Sequence, residues 1–241
     1  MERLTTQEIE DIAQRVYRAY CRLPQNQGAT VTRVDPELLA TELLKLNIEY
    51  HYLSITGAIL GVTAKNNYKV TVFDSGSEGE PVILWKNTVF LDSYLKSEEC
   101  VVGRHNFTLM HEACHHILWK LFPSQQDPAA ASRLYYCYAT QKAVTGEERI
   151  TNALASAILM PPALVLRKMQ EFGLGIRIAL LNRIYDPRGY QRFSDMADSL
   201  GVSKTALCIR LQKLMLLDEA YLRDPYALFD LVPDESYSNV F

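Results

Sequence analysis

Apolar positions recur at helical spacing through Ile9, Ile12, Ala13, Val16, Tyr17 and Tyr20, which predicts an amphipathic helix with one buried face. Thr5-Thr6-Gln7-Glu8 marks its start as a capping box, with Leu4 and Ile9 placed to staple it. Pro24 and the polar stretch to Gly28 end it, and Asp35-Pro36 opens a second helix with Leu38, Leu39, Leu43 and Leu44 as its buried side. The period then changes. Ile48–Leu53, Tyr68–Phe73, Val82–Trp85 and Thr88–Leu91 alternate or are rich in β-branched and aromatic residues, and Gly61, Asn66-Asn67 and Ser75-Gly76 read as turns. These runs predict a small antiparallel sheet. Helical spacing returns over Phe107–Leu121, stopped by Pro123, and over Glu147–Met160, stopped by Pro161-Pro162. The stretch between them starts polar and turns aromatic at Tyr135, Tyr136 and Tyr138, and beyond Pro162 the chain reads as helical and basic.

Composition narrows the class. With 241 residues, 48% hydrophobic and 22% charged, the chain can bury a proper core and is not disordered or low in complexity. A net charge of -3 argues against a surface coated in basic charge for nucleic acid. Cys21, Cys100, Cys114, Cys137 and Cys208 form no C-x-x-C pair and are odd in number, so reduced thiols in a cytoplasmic protein are expected rather than a disulfide framework or a cysteine zinc knuckle. The charged N-terminus lacks the apolar core of a signal peptide. The uncharged run from Ile150 to Leu166 holds Thr151, Asn152, Ser156 and Pro161-Pro162. It is too short to span comfortably and reads as a buried helix, with no membrane partner expected.

Candidate chemistry concentrates at His111-Glu112-Ala113-Cys114-His115. Residues four apart on a helix lie within about 40° of one another and one turn apart, so His111 and His115 can share a tetrahedral zinc. Glu112 falls about 60° from His115, beside the metal, where it can take a proton from water instead of ligating. A catalytic zinc takes three protein ligands and keeps one open position. Glu148, 33 residues after His115, can supply the third. Glu147 is its neighbour and competitor, but Glu148 agrees better with an inward ligand given the apolar face of Leu154, Ala155, Ile158 and Leu159. Asn152, one turn further on, can accept the other ring N–H of a ligating histidine. Zinc is the expected metal, and manganese suits the same donors. His116 points about 140° from His111 and reads as a surface residue, Cys114 as a packed core thiol. Tyr135, Tyr136 and Tyr138 suit aromatic packing as well as they suit donation to an oxyanion. His51 and His105 carry no constellation.

The segment Arg104–His116 resembles the active helix of the ImmA/IrrE family of metallopeptidases, whose pattern runs R-x-x-F-T-x-x-H-E-x-x-H. Glu148–Pro161 resembles that family's E-x-x-A-N-x-F-A-x-x-L-L-M-P, departing at Thr151, Leu154 and Ile158. Asp35-Pro36 and the hairpin before the active helix are also similar, and the likeness covers roughly residues 35 to 215. It implies a zincin-like endopeptidase that cuts a DNA-bound transcriptional repressor, the substrate being a helix-turn-helix protein whose loss switches genes on.

The basic segment has its own pattern. From Leu166 to Leu216 there are nine basic residues against four acidic ones, and from Leu217 six acidic residues against Arg223 alone. Phe193–Leu211 reads as helix, tight turn, helix: Ser194 caps the first helix, Gly201 ends it and Ser203 caps the second. Lys204, Arg210 and Lys213 are candidate contacts to DNA phosphates or to a partner. The chain is thus expected to be α+β. Residues 1–165 would form a zincin-like peptidase domain with a small antiparallel sheet and an active-site helix. Residues 166–216 would form a helix-turn-helix-like helical domain, and 217–241 an acidic tail. The alternative reading is a DNA-binding or scaffold regulator with a structural or vestigial metal site.

Overall fold

The computed structural model describes residues 4–123, 134–139 and 146–227. The fold is mixed α+β. Helix α1 (Thr6–Cys21) begins with the capping box read from Thr5 and Glu8. Asp35 caps the short α2 (Pro36–Leu38), accepting from the amides of Glu37 and Leu38, and a π-helical stretch follows over Leu39–Leu43. Five strands come next: β1 (Asn47–His51), β2 (Ile59–Ala64), β3 (Tyr68–Val72), β4 (Glu80–Leu84) and β5 (Thr88–Asp92). Helix α3 (Val102–Leu121) leads towards β6 (Leu134–Tyr138), α4 (Gly146–Leu159) and α5 (Pro162–Glu171). Then follow β7 (Ile178–Leu181), α6 (Pro187–Leu200), α7 (Lys204–Lys213) and β8 (Leu217–Ala220).

The main sheet has the order β1-β5-β2-β6 and is mixed, not antiparallel, because β1 runs parallel to β5. Three strands separate the two in sequence, so no hairpin forces them antiparallel. β3 and β4 form a separate antiparallel hairpin. Every residue of β5 is buried. Val89 and Leu91 pack with Leu109 and Ala113 of α3, and Phe90 packs with Val70, Val72 and Leu84 of the hairpin. Helix on one face and hairpin on the other leave no solvated side. The run therefore reads as continuous hydrophobics, the pattern of a strand covered on both faces.

Three further expectations are corrected. Gly61, read as a turn, lies inside β2; a side chain there would collide with Glu112, since an added Cβ would sit 2.7 Å from its Oε1. The segment after Pro162 is not wholly helical: β7 pairs in parallel with β8 across α6 and α7. Ser194 is interior to α6, whose start is set by Asp186 capping the Gly189 amide and by Pro187 in the first turn. Gly201 does end α6, with a left-handed φ of 68°, and Ser203 caps α7.

One hydrophobic cluster runs through α1, α3, α4, α5, α6 and α7, joining Ile9, Met110, Cys114, Leu154, Ile158, Leu164, Phe193, Leu200 and Leu211. It crosses residue 165, so the last two helices share a core with the rest. The uncharged run from Ile150 is split between α4 and α5, which are bent by 49° at Met160–Pro161. Among the described residues no single helix is long and apolar enough to cross a membrane.

Candidate metal centre

Helix α3 is buried on all sides from Thr108 to Trp119. Its contacts with the sheet and with α4 fix the rotation of His111, Glu112 and His115. On the sheet side, Gly61 and Thr63 of β2 stand opposite Cys137 and Tyr135 of β6. Alternation along the strands turns these four towards α3, while Val62, Ala64, Leu134 and Tyr136 pack towards the hairpin. The Tyr135 ring lies 4.7 Å from that of His115. On the other side, α4 brings Glu148 to the histidines: its Oε2 lies 3.1 Å from His111 Nε2 and its Oε1 3.5 Å from His115 Nε2. Ligand atoms of His111, His115 and Glu148 all fall within 4.8 Å of one another.

Asn152 Oδ1 lies 2.8 Å from His111 Nδ1. A carbonyl oxygen only accepts, so Nδ1 carries a proton, and Nε2 is the ring nitrogen that faces Glu148. Both ring nitrogens of His115 and both carboxylate oxygens of Glu112 are buried with no hydrogen-bond partner among the described residues. Buried polar atoms are almost always paired, because desolvating one unpaired group costs about 1–3 kcal/mol. His111 Nε2 and His115 Nε2 are both in that state and both face Glu148; two imidazoles and a carboxylate are a donor set that a divalent cation takes, so the residues fit zinc or manganese.

The charges set the two histidines apart. Burial opposes the charged form of His111, yet Glu148, Glu112 and Asn152 together raise its pKa. Burial, with His111 and His116 nearby, holds His115 well below the ordinary imidazole value, so it is neutral as a ligand must be. Burial pushes Glu112 up to about 8; His111 works against that shift and Glu148 adds to it. A carboxyl whose folded pKa exceeds its unfolded one gives stability that is complete below the unfolded value and is lost as the pH rises to the folded one. His111, also raised, acts in the same direction, whereas the depressed His115 and His116 withdraw stability only as the pH falls below 6.5. Metal-free protein is therefore expected to lose about 2 kcal/mol of unfolding free energy between pH 6.5 and pH 8. Denaturant titration in chelator checks this. Glu112→Gln should flatten most of the slope, and an undiminished slope in that variant would assign it elsewhere.

The other candidates sort as follows. His116, expected at the surface, is 4% exposed. Its Nε2 lies 2.7 Å from Thr63 Oγ1, and burial lowers its pKa to about 4. The sheet covers the face of α3 that a helical wheel leaves open. Cys114 is buried in the helical core. His51 pairs with Asp74 at 2.6 Å, and His105 with the Tyr50 hydroxyl at 2.9 Å. Lys204 and Lys213 are exposed. Arg210 is not available to DNA: it is 1% exposed, donates from Nε to the Met160 carbonyl at 2.9 Å and forms an ion pair with Glu10. The turn before α7 is also occupied, since a Cβ on Gly103 of α3 would lie 2.6 Å from Ser203 N, and Asn106 Nδ2 donates to the Gly201 carbonyl at 2.9 Å.

Sequence reasoning missed Gly61, Thr63 and Cys137, which carry no motif and reach α3 only through strand pairing. Gly61→Ala forces Glu112 to move, because the new Cβ would also lie 3.0 Å from its Cγ. If Glu112 is the general base, this change should lower turnover by about 10²-fold, the scale of a 1 Å misplacement, with metal content retained. Metal analysis beside a turnover assay checks it.

Compared with protein-family models and with curated proteins, the chain gives no match.

Proposed function

We propose that this chain is a metal-dependent endopeptidase of the ImmA/IrrE type, with a zincin-like catalytic part and a helix-turn-helix-like pair in α6 and α7. The observation that carries the reading is the convergence of His111 and His115 of α3 with Glu148 of α4, all ligand atoms within 4.8 Å, beside the buried Glu112. His111, His115 and Glu148 would hold zinc, or manganese in its place. When bound, the metal supplies a Lewis acid that polarises the scissile carbonyl and makes water acidic near neutral pH.

The remaining work falls to the chain's own side chains. Asn152 fixes the His111 tautomer through its Nδ1. Glu112, with no hydrogen bond to either oxygen among the described residues, accepts the proton of the attacking water and passes it to the leaving amine. The Tyr135 ring and the strand pair β2–β6 wall the site on the sheet side.

The substrate class is a protein, and the motif resemblance favours a transcriptional repressor with a helix-turn-helix domain. The DNA-binding or scaffold reading has less support, because Arg210 is spent on Glu10 and Met160 and the turn before α7 is packed on α3. The test is metal analysis together with cleavage. Purified protein should carry about one zinc per chain and should cut a helix-turn-helix repressor encoded beside it. Chelator should stop the cutting and zinc should restore it. A fully metal-free protein that still cleaves would overturn the reading.

A further inference from the structure

The centre holds one more donor. Ligand atoms of His111, Glu112 and Cys137 also lie within 4.8 Å of one another. Cys137 is buried at 8% exposure, forms no disulfide and is placed by β6 directly opposite Gly61. Because Gly61 has no Cβ, the Glu112 carboxylate rests against β2, and the same strand pair directs the thiol towards α3. The second observation is the buried Glu112 carboxylate itself, both of whose oxygens lack a hydrogen-bond partner among the described residues. The two candidate donor sets share only His111, so to join His115 and Glu148 around one ion the sulfur must close in on those two donors from where it lies.

We propose that Cys137 is a fourth protein ligand, whose thiolate takes the metal position left open by His111, His115 and Glu148. The inference rests on the metal-centre reading above. As the metal–sulfur bond forms, the thiol gives its proton to solvent, and no oxidant or reductant is needed. A thiolate is a soft donor, so the four-ligand site prefers zinc to manganese. A fourth protein ligand also closes a site that catalysis requires open, so the chain rests in a latent state until substrate displaces the sulfur.

The test uses the full chain loaded with Co²⁺ in place of zinc and reads its absorption spectrum. Wild type should show the visible bands of a tetrahedral cobalt site together with an intense near-ultraviolet thiolate-to-cobalt band. In Cys137→Ser and Cys137→Ala the visible bands should remain and the near-ultraviolet band should vanish, whereas Cys100→Ser should keep both. Zinc affinity should fall by about 10–100-fold in Cys137→Ser, at least the range that outer partners already command. Visible bands without a thiolate band in wild type would overturn the role of Cys137 and leave the three-ligand site standing. Absence of any cobalt spectrum would overturn both.

Discussion

Changing Glu112 to Gln is expected to reduce peptide-bond hydrolysis by a factor of about 10²–10⁴ while the metal stays in place. The amide keeps the size of the carboxylate and can occupy the same buried niche against Gly61, but it cannot accept the proton of the attacking water. His115→Ala differs in kind. It removes a nitrogen of the metal set, so metal content and cleavage should be lost together. Paired assays of metal content and turnover on the two variants separate the roles. Full turnover in Glu112→Gln would end the general-base assignment and leave the metal set untouched. Metal retained at wild-type affinity in His115→Ala would remove that residue from the set.

The largest stability effect is expected at the pair between Glu10 of α1 and Arg210 of α7. The guanidinium is 1% exposed while the Glu10 side chain is 24% exposed. Glu10→Ala strands a buried cation whose remaining partner among the described residues is the Met160 carbonyl, and should cost about 3 kcal/mol, the low end for a broken buried pair because Glu10 itself is partly solvated. Arg210→Met removes the buried charge and leaves its partner near water, so it should cost less. The double variant should cost less than the sum of the two. Denaturant unfolding of the three variants checks this. If Arg210→Met proves the more damaging single change, packing rather than charge governs the site.

The pair also marks where sequence reasoning stops. Arg210 sits among basic residues on a helix that reads as a DNA-facing element. Its neighbours along α7 are exposed at Lys204, Ile209 and Lys213. Nothing local distinguishes a surface arginine from one whose partners lie 50 and 200 residues away in sequence. His116 fails in the same way: its spacing on α3 is known, but the strand that covers it is not.

What the sequence determined by itself is whatever depends on neighbours a few residues apart. The capping box at Thr5 and Glu8, the Asp35 cap, the Gly201 stop and the one-turn offset of His111 and His115 all follow from backbone geometry over four residues. A contact from Asn152 to a ligating histidine was expected from its place one turn beyond Glu148, and the structure makes that histidine His111. Tertiary structure alone decided the parallel pairing of β1 with β5, the place of Gly61 under Glu112, the approach of Cys137, and the burial of His116 and Arg210. Strand pairing and helix packing join residues dozens to hundreds of positions apart, and the free energy that selects those contacts belongs to the whole buried core rather than to any short run of the chain.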